Sequence, residues 1–225
     1  VEEFSRSPRA VEEVRETLRH GADLERILGR LRNRVVRPRE LGGLRATVRG
    51  LPAIRQTLSE LGKDFPAIQS LASRIELFKE LGDLLNRALE EELPAEIKLD
   101  VKGEGGRVIR AEYDKEFDRL RDLAGGGKRW ILELEASERE KTGISNLKVK
   151  YNGAFGYFIE VNKANLHLVP EHYVRKQTMT NAERYYTDEL RTKEKEILNA
   201  EEQAVAKEQE LFVEVVKRAL EHADG

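Results

Sequence analysis

Residues 142–186 of the chain, TGISNLKVKYNGAFGYFIEVNKANLHLVPEHYVRKQTMTNAERYY, decide how the rest of the sequence is organised. Apolar and polar side chains alternate over residues 147–152 and again over residues 157–162, the period of two that is typical of half-buried strands. An Asn-Gly pair at the end of the first run predicts a turn. A third apolar–polar segment covers residues 173–179. We therefore predict one small antiparallel sheet, inserted between helices.

The chain before this stretch has helical periodicity. Apolar residues spaced by three and four predict several short helices over residues 1–62, with Pro52 opening one of them. The same spacing predicts one continuous helix over residues 66–93, which Pro94 ends. The glycine-containing residues 98–107 then predict a polar loop.

Two long helices are predicted on either side of the sheet. The first covers residues 112–141 and contains three consecutive glycines at positions 125–127. Each glycine costs a helix about 1 kcal/mol relative to alanine, so the helix either kinks there or is held by its packing. The second covers residues 180–223, which contain neither proline nor glycine. Because a single helix of that length is not stable alone, we expect the two helices to pack antiparallel.

Composition excludes several classes of protein. The 225 residues include 40 Lys and Arg and 42 Asp and Glu, so the net charge of −2 excludes a globally basic nucleic-acid binder. The absence of cysteine excludes a disulfide framework and thiolate metal sites, and it suits a cytoplasmic protein. The apolar runs are too short to span a membrane, and no signal peptide opens the chain.

No sequence motif indicates catalysis. The glycine–lysine pattern of a phosphate-binding P-loop is absent, and the four histidines are scattered along the chain. We therefore expect no catalytic residues, no metal site and no bound cofactor in this chain, and we do not expect it to be an enzyme.

Positive charge is concentrated around the predicted sheet. Residues 128–187 contain ten Lys and Arg and seven Asp and Glu, whereas the remainder contains 30 and 35. Lys148, Lys150 and Asn152 share one strand face by alternation. Lysines and short polar donors on a rigid sheet are suited to phosphate contacts, which fix position without reading bases. An ordinary solvated sheet face remains the alternative interpretation of the same residues.

A family resemblance is carried by long motifs. LKVKYNGAFGYFIEVNKANLHLVP at residues 147–170 and YVRKQTMTNAERYYTDEL at residues 173–190 closely resemble the clamp region of the MutS family of mismatch-repair proteins. Upstream, the DLER motif and PRELGGL within residues 21–58 resemble the family's helical core. VIRAEYDKEFDRLRDL at residues 108–123 and LELEASEREKTGI at residues 132–144 fit the helix that leads into the clamp.

The resemblance implies a mostly α fold, with a helical core, two long antiparallel lever helices and a small β-rich clamp at their tip. We divide the chain into a core and first lever part (residues 1–127), a clamp (residues 128–187) and a returning lever helix (residues 188–225). The implied partner is the backbone of double-stranded DNA, gripped without sequence specificity.

The resemblance also implies that the chain is a fragment. The family's mismatch-reading domain and ATPase domain have no counterpart in the sequence. ATP, Mg²⁺, dimerisation and a MutL-type partner are therefore implied for the full-length family protein, which is a DNA-dependent ATPase. A structural helical spacer or protein-interaction arm without DNA contact is the alternative function.

We expect the DNA contacts to come from the clamp-like stretch. Lys148 and Lys150 are expected to reach adjacent phosphates, and only one of Arg175 and Lys176 is expected to face DNA, since neighbouring strand residues alternate. Asn181 is expected to open the return helix, where backbone N–H groups favour a phosphate. The candidate phosphate-binding residues are Lys148, Lys150, Asn152, Lys163, Asn165, Arg175, Lys176, Thr178 and Asn181.

Overall fold

A computed structural model describes residues 8–19, 22–98 and 106–223. Its contacts divide the chain into two compact units. The first comprises the described parts of Val1–Ile97, Gly106–Tyr113 and Gln209–Gly225, and the second comprises Lys98 and Asp114–Glu208. Most of the predicted polar loop, residues 99–105, lies outside the described residues.

Helices make up the first unit, as the sequence predicts. Asp23 caps the second of them by accepting a hydrogen bond from the Arg26 amide at 3.1 Å. Pro52 does not open a new helix, because it lies inside one 24-residue helix whose buried Val48 and Leu58 anchor the turns on either side of it. The helices are α1 (Pro8–Arg19), α2 (Leu24–Arg32), α3 (Pro38–Leu61), α4 (Pro66–Arg74) and α5 (Lys79–Ala88).

The single helix predicted over residues 66–93 is wrong. The chain leaves the helical conformation between α4 and α5, and Phe78 has a φ of 44°. The break lets Ile75 pack against the cluster around Ile68, while α5 buries its own apolar face. Apolar spacing continues across the break, so periodicity alone does not reveal it.

Arg45 anchors the chain that follows α5. Its guanidinium, 4% exposed, donates hydrogen bonds of 2.8–2.9 Å to the carbonyl oxygens of Leu89, Glu90 and Glu91. Burial lowers the pKa of this guanidinium. The three hydrogen bonds satisfy carbonyl groups just beyond the helix end, where Leu89 also forms a bridge with Ile109.

The second unit contains the predicted sheet. Its four strands lie at residues 148–152, 156–162, 174–178 and 182–186, which we number β1 to β4 in chain order. They are antiparallel in the order β1-β2-β4-β3, and long helices precede and follow them. The prediction of a mostly α fold with a small antiparallel sheet inserted between long helices is confirmed. The elements are α6 (Lys115–Thr142), β1 (Lys148–Asn152), β2 (Gly156–Asn162), a 3-10 helix (Lys163–Leu168), β3 (Val174–Thr178), β4 (Ala182–Tyr186) and α7 (Asp188–Ala223).

Strand β4 was not predicted, because helical periodicity was read over residues 180–223, although the division into domains begins the return helix at residue 188. It pairs with both β2 and β3, and α7 begins only at Asp188. Glu183 explains the error, because this carboxylate occupies an inward position of β4 and hides the apolar alternation. It is 8% exposed and accepts a 2.6 Å hydrogen bond from the Tyr185 hydroxyl.

Helix α6 continues through the three glycines without a break. Gly127 faces Ile197 of α7, and a Cβ at this glycine would lie 2.5 Å from Ile197 Cγ1. The helices are antiparallel, since Lys128 contacts Glu201 at 2.6 Å whereas Trp130, further along α6, has Lys193 over its ring at 6.0 Å. Packing therefore overrides the low helix propensity of glycine here.

One face of the sheet packs on these helices. Ile131 and Leu134 of α6 and Leu190 and Ile197 of α7 supply the helical side of this core. The sheet and its loops supply buried side chains that point toward the helices, namely Ile144, Leu147, Tyr157, Ile159, Val161, Tyr173 and Tyr185. The side chains on the opposite face of β1 are exposed and do not belong to this core.

The close contact between α6 and α7 predicts opposite effects of one substitution at two glycines. Gly127→Ala should destabilise the fold by about 1–3 kcal/mol, because its Cβ overlaps Ile197. At Gly125 an added Cβ would meet no atom outside the adjacent helix backbone within 4 Å, so Gly125→Ala should stabilise the fold by up to about 1 kcal/mol. Urea unfolding followed by the fluorescence of Trp130 measures both. Equal stabilisation by the two substitutions would show that the helices do not meet at Gly127.

Candidate nucleic-acid interface

The predicted lysine face of β1 exists. Val149 and Tyr151 pack toward the helices, whereas Lys148, Lys150 and Asn152 are exposed on the other side of the strand. We call this other side the outer face of the sheet. The period of two in the sequence thus places the two lysines together as expected.

Lys150 is already ion-paired. Its ammonium lies 2.6 Å from Oε1 of Glu160 on the neighbouring strand, and Arg184 approaches the other oxygen at 3.4 Å. The hydrogen bond from Lys150 lowers the pKa of the Glu160 carboxyl. Lys148, in contrast, is exposed and has no ion pair with any residue that the structure describes.

Arg175 and Lys176 have different partners. The pairing of β3 with β4 shifts between Arg175 and Gln177, so a bulge interrupts the alternation. Arg175 lies 3.6 Å from the Glu183 carboxylate. Lys176 donates a hydrogen bond to the Phe155 carbonyl oxygen, at the turn between β1 and β2. The two side chains therefore have separate partners, and the expectation that only one of them faces DNA stays a prediction.

Four of the candidate residues meet at one end of the sheet, which we call the β3–β4 end: Lys163, Asn165, Thr178 and Asn181. The Lys163 amide donates to the Asn181 carbonyl oxygen at 3.1 Å and joins the 3-10 helix to the β3–β4 turn. Asn165 donates to the side chain of Asn146 at 2.9 Å. Lys163, Thr178 and Asn181 are exposed, and Lys163 has no ion pair among the described residues.

The expected position of Asn181 is wrong. It lies in the β3–β4 turn and not at the start of the return helix, which begins at Asp188. The helix N-terminus therefore supplies no phosphate site at Asn181. What remains is an exposed amide side chain beside Lys163.

Asn152 lies at the opposite end of the sheet, which we call the β1–β2 end. Its side-chain oxygen accepts a 2.9 Å hydrogen bond from the Ala154 amide. This contact shapes the turn that leads into β2. Asn152 is therefore separated from the four residues of the β3–β4 end.

Carboxylates of the two long helices hold the sheet in place, and sequence reasoning missed them. Glu135 of α6 accepts a 2.7 Å hydrogen bond from the Val149 amide, and Glu194 of α7 accepts one of 2.7 Å from the Tyr157 amide. Gly156 has a φ of 72° and permits the close approach of Glu194, where a Cβ would overlap the carboxylate. In the sequence these glutamates belong to charged runs that resemble solvated helix faces.

Glu138 makes a third such contact. Its carboxylate, 5% exposed, accepts hydrogen bonds from the Tyr173 hydroxyl at 2.5 Å and the Lys141 ammonium at 2.9 Å. Burial alone would raise the pKa of the Glu138 carboxyl, but the two hydrogen bonds and the nearby charges of Lys141 and His172 together lower it. Burial and the Glu138 carboxylate together raise the pKa of Tyr173.

The part of the chain that the structure describes offers neither a metal site nor a membrane-spanning helix. Within residues 8–19, 22–98 and 106–223, no three His, Asp or Glu side chains are grouped so as to hold a metal ion. Over the same residues, no helix combines the length and apolar composition that a membrane crossing requires.

Comparison with known proteins agrees with the resemblance in the sequence. A family model described as MutS family domain IV matches residues 112–203. The DNA mismatch repair protein MutS of Geobacillus thermodenitrificans (strain NG80-2) is 46% identical over 211 residues, covering 93% of this chain and 22% of that protein. The proteins of the same name from Halalkalibacterium halodurans and Geobacillus sp. (strain WCH70) are 47% and 43% identical over 205 and 212 residues, or 91% and 94% of this chain. The chain spans 22–24% of the length of these three curated relatives.

The buried Glu138 predicts an acid-sensitive attachment of the sheet. Because its folded-state pKa is lowered, ionised Glu138 stabilises the fold above its unfolded-state pKa, and this stabilisation is lost as pH falls through the folded-state pKa. Glu138→Gln should therefore cost about 1–3 kcal/mol at neutral pH, and its stability should converge with that of the parent in acid.

Urea unfolding of the parent and Glu138→Gln at neutral and acidic pH measures this difference. Glu140→Gln is the matched control, since Glu140 is exposed on the same turn of α6, and it should follow the parent at every pH. If the difference in the free energy of unfolding between Glu138→Gln and the parent stays constant with pH, the stabilising role of ionised Glu138 is contradicted.

Proposed function

Because the chain belongs to the MutS family and residues 112–203 match its domain IV, we propose that it serves DNA mismatch repair as a clamp on the backbone of double-stranded DNA. In this proposal residues 128–187 are the clamp, and residues 1–127 and 188–225 are the core and the lever that carry it. The clamp holds DNA without reading its sequence.

The observation that carries the proposal is that Lys148 and Lys163 are exposed and form no ion pair with any residue that the structure describes. An ammonium group without an ion-pair partner is available to a phosphate and loses no existing contact when it binds one. Thr178 and Asn181 add short polar side chains at the β3–β4 end, beside Lys163. Lysine acts as a point charge and short polar groups as simple donors, a combination that fixes position on a backbone.

The ion-paired candidates contribute less to this grip. Lys150 must leave Glu160, and Arg175 must leave Glu183, before either binds a phosphate. The carboxylate partners are largely buried, since the side chains of Glu160 and Glu183 are 20% and 11% exposed, so breaking either pair leaves a poorly solvated charge and costs free energy. We therefore rank Lys148 and Lys163 first among the nine candidates.

The proposal limits what this chain does alone. We assign it no nucleotide hydrolysis and no discrimination of mismatched from matched duplex. ATP with Mg²⁺, dimerisation and a MutL-type partner are assigned to the full-length protein of the family. A cytoplasmic location is part of the same proposal.

Salt dependence tests the backbone grip. The double substitution Lys148→Ala/Lys163→Ala should lower the slope of log affinity against log salt by about two, since each lost phosphate contact removes about one. Matched and mismatched duplexes should weaken alike. Fluorescence anisotropy of a labelled duplex, titrated with the 225-residue chain at several salt concentrations, gives the slope.

The matched control is Arg129→Ala/Lys195→Ala, which removes the same charge from exposed positions on the two long helices. It should leave the slope unchanged. If both double variants have the slope of the parent, Lys148 and Lys163 do not hold DNA, and the alternative of a helical spacer or protein-docking arm is favoured. If the slope falls equally in both double variants, the salt dependence reflects the net charge of the chain and not contacts at Lys148 and Lys163.

A further inference from the structure

An aromatic and cationic patch lies at the β1–β2 end of the sheet, away from the β3–β4 end. We define it by four residues, Phe155, Lys176, Tyr186 and Arg191. Phe155 is at the tip of the β1–β2 turn, and 46% of it is exposed. The backbone-gripping function gives no role to an aromatic side chain in that position.

Two cations converge on one ring of the patch. The Lys176 ammonium lies 5.8 Å from the centre of the Tyr186 ring, and the Arg191 guanidinium carbon lies 5.5 Å from it. Both are within the range of a cation–π attraction. Lys176 also donates to the Phe155 carbonyl oxygen, so it links the exposed ring of the turn to the ring on β4.

The turn that presents Phe155 is fixed by its own hydrogen bonds. Asn152 accepts from the Ala154 amide through its side chain at 2.9 Å and from the Phe155 amide through its carbonyl oxygen at 3.1 Å. Gly156 then turns the chain into β2 with a φ of 72°. A ligand that lies on the Phe155 ring therefore meets a turn that is already ordered, which lowers the entropic cost of binding.

The surroundings of the patch carry excess positive charge. Next to it on the outer face, Lys150 and Arg184 share the single carboxylate of Glu160. Arg184 also covers the ring of Phe158 at 4.3 Å. Two more carboxylates lie near the patch: Asp188 at the start of α7, and Glu194, which accepts from the Tyr157 amide beside Gly156. The four cations Lys150, Lys176, Arg184 and Arg191 thus outnumber the three carboxylates by one. This excess beside an exposed aromatic ring is complementary to a ligand with both aromatic rings and negative charge.

We propose that this patch binds single-stranded nucleic acid, with an unstacked base on the Phe155 ring and the flanking phosphates on Lys176 and Arg191. Proteins that hold single strands combine aromatic side chains, on which bases stack, with cations that follow the backbone. A base within a duplex is covered by its neighbours and does not offer a face to Phe155. The ligand and the surface therefore both differ from those of the duplex grip, and the inference does not depend on it.

Comparing a normal single strand with an abasic one distinguishes base stacking from phosphate contacts. The probes are labelled single strands of about 12 thymidines and of the same number of abasic sites, which carry equal charge. The parent chain should bind the thymidine strand more tightly than the abasic one. Phe155→Ala should weaken binding of the thymidine strand by roughly 5- to 100-fold and leave the abasic strand nearly unchanged.

Three control variants sharpen the result. Phe155→Leu keeps apolar bulk without an aromatic face and should behave like Phe155→Ala. Leu168→Ala removes another exposed apolar side chain, 41% exposed, and should bind as the parent does. Lys148→Ala/Lys163→Ala should keep the preference for bases while it loses duplex affinity, so failure of the duplex grip and failure of this proposal are distinguishable.

The measurement is fluorescence anisotropy at low salt, with circular dichroism and Trp130 fluorescence to establish that each variant is folded. Phe155 is exposed on a turn, so its replacement leaves the core intact. Equal affinity of the parent for the two strands would overturn the proposal. So would thymidine binding that survives Phe155→Ala, or that survives Phe155→Leu, which would indicate apolar docking in place of stacking.

Discussion

The hydrogen bonds between carboxylates of the long helices and the sheet are the interactions on which the second unit depends. Glu135 and Glu138 of α6 hold Val149 and Tyr173, and Glu194 of α7 holds the Tyr157 amide. Each bond joins a charged acceptor to a donor in a partly or fully buried setting, where such bonds are stronger than exposed ones. Both helices contribute, so the sheet is attached at β1, at β2 and at Tyr173 just before β3. Its outer face and two ends stay available for ligands.

This attachment separates two surfaces with different chemistry. The β3–β4 end presents short polar groups and Lys163, which has no ion pair among the described residues. The β1–β2 end presents aromatic rings close to cations. Between them, Glu160 neutralises part of the positive charge of Lys150 and Arg184. A small sheet of four strands thereby offers one region suited to a continuous phosphate backbone and another suited to an unstacked base.

Much of the fold follows from local patterns, and the exceptions have identifiable causes. The alternation of β1 and β2 is visible because their inward positions are apolar, whereas the inward Glu183 of β4 hides the same alternation. The break near Phe78 preserves helical spacing and so escapes a periodicity argument. Gly127 lowers helix propensity, yet it is the residue that lets Ile197 approach, and contacts between distant segments are not encoded locally. For the same reason the pairing of Lys150 with Glu160 was not foreseen, although both lie in one strand pair.

Mapping a duplex onto the chain by NMR tests the central claim that the β3–β4 end, together with Lys148 on the outer face of β1, is the part of the sheet that holds DNA. Amide shifts are recorded while a short matched duplex is added to the isotope-labelled chain. The account predicts the largest changes at Lys148, Lys163, Thr178 and Asn181, with little change at the β1–β2 turn. Changes centred on the helices of the first unit, or none near Lys163 at saturating duplex, would contradict it.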